Sequence, residues 1–337
     1  MNETNETVAR DDAAAETPAN GASATPATTA PPTGPSGDTV VAATPPRHQL
    51  PAAIRVLRPR QWLKNVFVLA APLAAGTLFH TGVLWRTLLA VVAFIAVSAA
   101  IYVVNDVRDA EDDRRHPVKR LRPIAAGEIR PVTALVIGAC CALAGFALGF
   151  FLDTDFGAIL VFYVLLQISY SLWLKDRPII DLAVVTIGFL LRAISGGVAT
   201  GLLLSQWFLL VAGFGSLFMV AGKRYSELVT LGSAAKTRPS LAGYTPTFLR
   251  FIWGMSAALV VSSYALWAFD QHHDDTWLGI PWAIVSIAPF ALVIISYARV
   301  IDAGKAGEPE DAVLGDVTLL AMACLWLVCV ALAIFAT

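Results

Sequence analysis

The chain has 337 residues, 57% of them hydrophobic and only 15% charged, with a formal net charge of −1. A soluble domain carries about a quarter charged residues, so this composition excludes one and indicates a chain that crosses a membrane repeatedly. The net charge itself says little, because its distribution along the chain matters more than its sum. The cysteines at 140, 141, 324 and 329 lie inside apolar runs and read as buried structural thiols, not as a disulfide frame or metal site.

Residues 1–50 are rich in Ala, Thr, Pro and Gly and nearly lack large apolar side chains. Such a segment cannot bury enough surface to fold and is expected to be a disordered tail. It has no apolar run of the signal-peptide kind. Its Asn-Glu-Thr sequons at Asn2 and Asn5 matter only if the tail enters a glycosylating lumen, and the topology below argues against that.

Residues 51–337 form the second unit, and its predicted fold class is all-α, a polytopic membrane bundle. A hydrocarbon core about 30 Å thick needs roughly 20 apolar residues per helix. Nine segments qualify or nearly so: 62–79, 84–104, 131–152, 155–174, 178–201, 205–221, 247–269, 281–299 and 314–336. The connections "HTGV" (80–83), "DTD" (153–155) and "LLLS" (202–205) are helical-hairpin turns that make consecutive helices antiparallel. With the N-terminus in the cytoplasm, the cytoplasmic loops are 105–130, 175–177, 222–246 and 300–313. All but Arg86 and Arg192 of the 24 Lys and Arg then fall on cytoplasmic segments or helix ends. After nine crossings the C-terminus lies outside. The outer loop at 270–279 holds His272, His273, Asp274 and Asp275, which read as a solvated polar turn, since adjacent histidines do not by themselves make a ligand geometry.

The second helix leaves the bilayer through "YVVNDVRDAEDDRRHPVKRLRPIAAG" (102–127), which holds five acidic and six basic side chains. On a continuous helix, Asn105, Asp109 and Asp113, spaced i, i+4, i+8, put three oxygen-bearing side chains along one face, with Tyr102 one turn deeper. Hard divalent cations such as Mg2+ take oxygen ligands and keep phosphate oxygens or waters, so this row suits a Mg2+–diphosphate complex. Asp106, Glu111 and Asp112 fall elsewhere on the helix. The basic run that follows would hold outer phosphate oxygens, with Lys119 and Arg122, beside prolines that stiffen the loop, chosen for contact. Part of that run is ordinary positive-inside flanking.

N-D-x-x-D-x-x-x-D at 105–113, followed by R-x-H-P-x-K-R-x-R-P-I-A-x-G, resembles the UbiA superfamily of membrane prenyltransferases, over about residues 52–337. The resemblance implies nine helices, cytoplasmic catalytic loops, and Mg2+ and diphosphate at Asn105, Asp109 and Asp113. Aromatic prenyltransferases of this type carry a second motif, D-x-x-x-D, after the sixth helix. Here the place reads "GKRYSEL" (222–228), with Lys223 and Arg224 cationic and only Glu227 acidic, so an anion site replaces a second metal site.

That combination resembles the branch that joins 5-phosphoribosyl diphosphate to a polyprenyl (decaprenyl) phosphate. "RPRQWLKN" (58–65), "YSLWLK" (170–175), "GFLLRAISGG" (188–197) and "SQWFLLVAGFGSLFMVAGKRYSEL" (205–228) carry the same resemblance. It implies a pentosyltransferase feeding arabinan cell-wall synthesis in a bacterial plasma membrane. Its implied partners are phosphoribosyl diphosphate, polyprenyl phosphate and membrane lipid, with no nucleic acid and with a homo-oligomer allowed.

Arg192, about 14 residues into the fifth helix and so roughly 20 Å deep, is expected to face the cavity and bind a substrate phosphate, with a structural contact as the competing account. Lys64 and Lys175 either line the mouth or anchor their helices. Tyr170 either orients a phosphate or belongs to the interfacial aromatic belt. Two other readings stand beside phosphoribosyl transfer. The first is prenyl transfer to an aromatic acceptor, disfavoured by the basic "GKRYSE". The second is a transporter or lipid-binding protein, disfavoured by the intact Asp motif.

Overall fold

Apolar runs punctuated by Pro, Gly and charge clusters become helices separated by short turns. The computed structural model describes residues 50–232, 241, 243–271 and 277–335. The tail with Asn2 and Asn5, and the outer-loop residues 272–275, lie outside these residues. Among the described residues the regular structure is entirely helical.

Three short helices, α1 (Ala52–Arg55), α2 (Pro59–Trp62) and α3 (Ala70–Ala74), precede α4 (Thr81–Arg108). Then come α5 (Ala110–Arg115), α6 (Pro131–Leu152), α7 (Thr154–Ser169), α8 (Ile180–Thr200) and α9 (Gln206–Leu231). The chain ends in α10 (Pro246–Asp270), α11 (Trp282–Val285), α12 (Ile287–Asp302), α13 (Pro309–Leu314) and α14 (Val317–Phe335). Among the described residues, eight helical stretches are long and apolar enough to cross a membrane, against the nine expected. The difference is the segment expected at 62–79. It is not one α-helix: a 3-10 stretch, Leu63–Leu69, joins α2 to α3, and the path turns at Gly76 (φ +67). With the steeper rise of a 3-10 helix, Pro59–Ala74 still extends about 27 Å, close to a hydrocarbon core.

The turns at 153 and at 202–205 are built as their residues suggest, whereas in "HTGV" (80–83) only His80 precedes the helix and Thr81–Val83 are the first turn of α4. Asp153 caps α7 by accepting from the backbone N–H groups of Asp155 and Phe156, and Ser205 caps α9 in the same way through Trp207 and Phe208. Gly201 closes α8 in the left-handed region at φ +71. In lipid, helices associate by close packing more than by apolar burial. α4 and α6 accordingly run together where Gly138 and Gly145 bring α6 against Val103, Val97 and Ala93. α9 lies along α10. One apolar cluster joins α4, α7 and α8 around Phe94, Phe156 and Leu160; another joins α8, α9, α10, α12 and α14 around Phe218, Leu249, Ile301 and Leu319.

Two expectations change here. Arg86, an exception to the charge asymmetry, donates from Nε to Ala199 O (2.7 Å) and from Nη2 to Leu152 O (2.8 Å), satisfying carbonyls at the ends of α8 and α6. The cysteines are free, but only Cys329 is buried; Cys140 and Cys324 are on the outer surface of their helices and Cys141 is half-buried. An apolar run in a membrane helix need not face protein, which is why sequence context misplaced them.

Candidate active site

The charged segment does not continue as one helix. α4 ends at Arg108, Asp109 takes φ −90, ψ 6, and α5 restarts at Ala110, so the row Asn105–Asp109–Asp113 is bent at its centre. Asn105 Oδ1 accepts from Ser171 Oγ (3.0 Å). Asp113 is buried; its Oδ2 accepts from Arg122 Nη1 (2.6 Å) and its Oδ1 lies 4.0 Å from Lys119 Nζ. The Asp109 side chain makes no hydrogen bond or ion pair among the described residues, and no group of three His, Cys, Asp or Glu there is disposed to hold a metal ion.

Asp106 is the main surprise of this half. Placed by spacing away from the working face, it is buried and takes Arg58 in a two-pronged contact, plus Arg122 Nη1 at 3.1 Å. Arg122 thus bridges Asp106 and Asp113. Arg58 is left-handed at φ +52 and also stacks on Tyr102, 5.2 Å from its ring centre. Asp106 and Asp113, spaced i, i+7, lie close to one face of the helical path, so one arginine reaches both carboxylates. Glu111 is exposed and, among the described residues, pairs with Arg114.

The second half gathers on Asp181, in the first turn of α8 and fully buried. Its Oδ1 accepts from Tyr170 OH (2.7 Å) and Arg224 Nη2 (2.8 Å), and its Oδ2 from Arg224 Nε (2.9 Å) and Tyr244 OH (3.4 Å). Arg224 Nη1 donates to Glu227 at 3.0 Å. Burial, with the Asp181 charge adding to it, pushes the Tyr244 phenol up to about 12, so it stays a proton donor. Lys223 points the other way, to Glu308 at 3.5 Å.

A π-helical turn, Tyr170–Leu174, links the halves. Tyr170 serves Asp181, while Ser171 serves the acidic segment by its bond to Asn105 and by accepting Arg108 Nη1 on its carbonyl (2.6 Å). Lys175, at the end of this turn, and Lys64, in the 3-10 stretch, are both half-buried. Just beyond the turn, Ile179 has φ 69, ψ −50, and Ile180 N donates to Pro178 O (2.8 Å). A β-branched residue at the centre of such a γ-turn costs about 1–3 kcal/mol. Tyr244 holds it by accepting from Ile179 N (3.1 Å).

Arg192 lies in the middle of α8. It is buried and donates to Asn65 Oδ1 (3.0 Å), Gly188 O (2.8 Å) and Tyr163 OH (2.6 Å), under rings of Tyr163, Phe189 and Phe94. All three guanidinium nitrogens are thus hydrogen-bonded to protein groups. Likewise Tyr170, Arg224 and Glu227, expected at a phosphate, engage one another and Asp181. Sequence reasoning missed Arg58, Ser171, Asp181 and Tyr244. For Asp181 there was a signal, since a carboxylate in an apolar helix needs a partner; that partner is Arg224 on the next helix, a contact that spacing along one helix cannot reveal.

A model of the UbiA prenyltransferase family matches residues 65–313. The chain is 47% identical to a decaprenyl-phosphate phosphoribosyltransferase of Corynebacterium glutamicum, covering 86% of this chain and 89% of that one. It is 44% identical to the enzyme of that name from Mycobacterium tuberculosis, over 86% of this chain and 96% of the other. Among solved structures, a UbiA homolog from Archaeoglobus fulgidus bound to GPP and Mg2+ superposes with a TM-score of 0.62 at 17% identity, covering 84% of this chain and 98% of that one. The chain belongs to the UbiA prenyltransferase family.

Proposed function

We infer that the protein is a membrane pentosyltransferase that moves a 5-phosphoribosyl group from phosphoribosyl diphosphate to a polyprenyl phosphate, releasing diphosphate. The observation that carries this reading is 41–47% identity, over 86% of the chain, to enzymes named decaprenyl-phosphate phosphoribosyltransferase. The cations Lys223 and Arg224, standing where the wider family has acidic residues, agree with it.

The donor set fits a divalent metal. Asn105, Asp109 and Asp113 offer only oxygen, and the Asp109 carboxylate is unengaged at the bend. Magnesium, when bound there, would neutralise charge building on the departing diphosphate. Lys119 and Arg122 lie beside these carboxylates and would add contacts to diphosphate oxygens. The bond from the ribose anomeric carbon to diphosphate breaks, and one from that carbon to an oxygen of the lipid phosphate forms. The acceptor oxygen is already anionic at neutral pH, so no general base is required. In-line attack inverts the α-diphosphate to a β-linked product. A ninth crossing by 59–74, a cytoplasmic N-terminus, a site facing the cytoplasm, a bacterial plasma membrane and a role in arabinan precursor supply belong to the same proposal.

The assay is purified full-length protein in detergent with labelled phosphoribosyl diphosphate and decaprenyl phosphate. Label should pass to the lipid fraction, and chelation of divalent cations should stop it. Label remaining in water, with transfer from a prenyl diphosphate to an aromatic acceptor instead, would reverse the assignment.

A further inference from the structure

The two α9 cations are held in very different ways. Lys223 meets Glu308 at 3.5 Å, with side chains 30% and 66% exposed. An exposed pair of this kind is weak and readily exchanged for another anion. Arg224 meets Asp181, whose side chain is 0% exposed, through two guanidinium nitrogens, with a third on Glu227. Separating that pair would leave a buried carboxylate uncompensated, which is strongly unfavourable. Asp181 is itself clamped from two sides, by Tyr170 on the π turn and by Tyr244 on the segment before α10. That segment cannot slide freely: a Cβ on Gly243 would collide with the Pro178 ring, and Tyr244 holds the strained Ile179 turn.

We propose that Asp181 is a positioning residue: braced by Tyr170 and Tyr244, it locks Arg224 between α8 and α9 and leaves Lys223 as the α9 cation that takes a substrate phosphate. This rests on the phosphoribosyl-transfer reading for the identity of the phosphate. The Asp181–Arg224 lock itself rests on the geometry alone. Arg224 then acts through the π turn and α9, not by touching substrate. The contribution of the lock is to hold Ser171, Asn105 and Lys223 in one register.

The test uses the full chain in detergent, with thermal unfolding measured without substrate and KM and kcat measured for both substrates. Asp181→Asn and Arg224→Gln should each lower Tm, and the double variant should regain most of the loss because no buried charge is left unpaired. The double variant should turn over about tenfold or more slowly with both KM values within about twofold, whereas Lys223→Ala should raise one KM about tenfold at unchanged Tm. Three results would each overturn the proposal: a double variant no more stable than the singles, a double variant as fast as wild type, or one whose KM rises as in Lys223→Ala. A wild-type protein without phosphoribosyl transfer refutes the proposed function, and the Tm pattern still decides the lock.

Discussion

At the scale of residues, like-looking charges divide by burial. Five acidic side chains crowd 106–113, yet their surroundings sort them. Glu111 and Asp112 are exposed, Asp106 and Asp113 are buried against arginine, and Asp109 is unengaged. Asp109→Ala should therefore lower kcat/KM by at least about a hundredfold while leaving Tm unchanged, because it would remove a proposed metal ligand and no side-chain contact of the fold. Asp106→Asn should behave oppositely. It leaves Arg58 and Arg122 short of a counter-charge and should cost about 2–3 kcal/mol of stability, less than a fully dry pair because both arginines are about a quarter exposed. Thermal unfolding beside Mn2+ binding separates the two: Asp109→Ala should lose the metal, and equal metal affinity in that variant and wild type would remove Asp109 from the ligand set. Spacing gave Asn105, Asp109 and Asp113 as candidates, but could not show that Arg122 would sit on Asp113, because that contact depends on how the segment after α5 returns to the helix.

At the scale of elements, helix ends do most of the specifying. Asp153, Ser205 and Gly201 mark their turns legibly in sequence, since capping chemistry is local. Arg86 is not legible in this way, because its acceptors are on α6 and α8, 66 and 113 positions away. Each of its charged hydrogen bonds is worth about 1.5–3 kcal/mol when a carbonyl would otherwise be left unsatisfied. Arg86→Met should lower Tm by several degrees without altering either KM; an unchanged Tm would mean that water serves those carbonyls equally well. The close approach of α4 and α6 depends on Gly145, where an added Cβ would meet Val97 Cγ2 at 2.7 Å and Ala93 O at 3.0 Å. Gly145→Val should force the helices apart and cost about 1–3 kcal/mol, read as a lower Tm.

At the scale of the whole molecule, charge asymmetry and helix length argue one topology, and labelling can test it. Leu203, in the turn between α8 and α9, is fully exposed. In a background lacking the native cysteines, Leu203→Cys should react with a membrane-impermeant thiol reagent on intact cells, and Arg114→Cys only after permeabilisation. The reverse pattern would invert the protein in the membrane. The irregular helical path over 59–74 is where hydropathy suggested a regular helix at 62–79, since composition reports how apolar a segment is and not whether its hydrogen bonds run i to i+3 or i to i+4.

The sequence by itself determined the membrane class, the long helices, the turns between them and the acidic row, because each depends on residues within a few turns of one another. Tertiary structure decided the partners. Asp181 with Arg224, Asp106 with Arg58, Arg192 with Asn65 and Tyr163, and Arg86 with two helix ends all join segments far apart in the chain. A buried charge takes whichever complementary group the packing brings to it, and only the assembled bundle sets that choice.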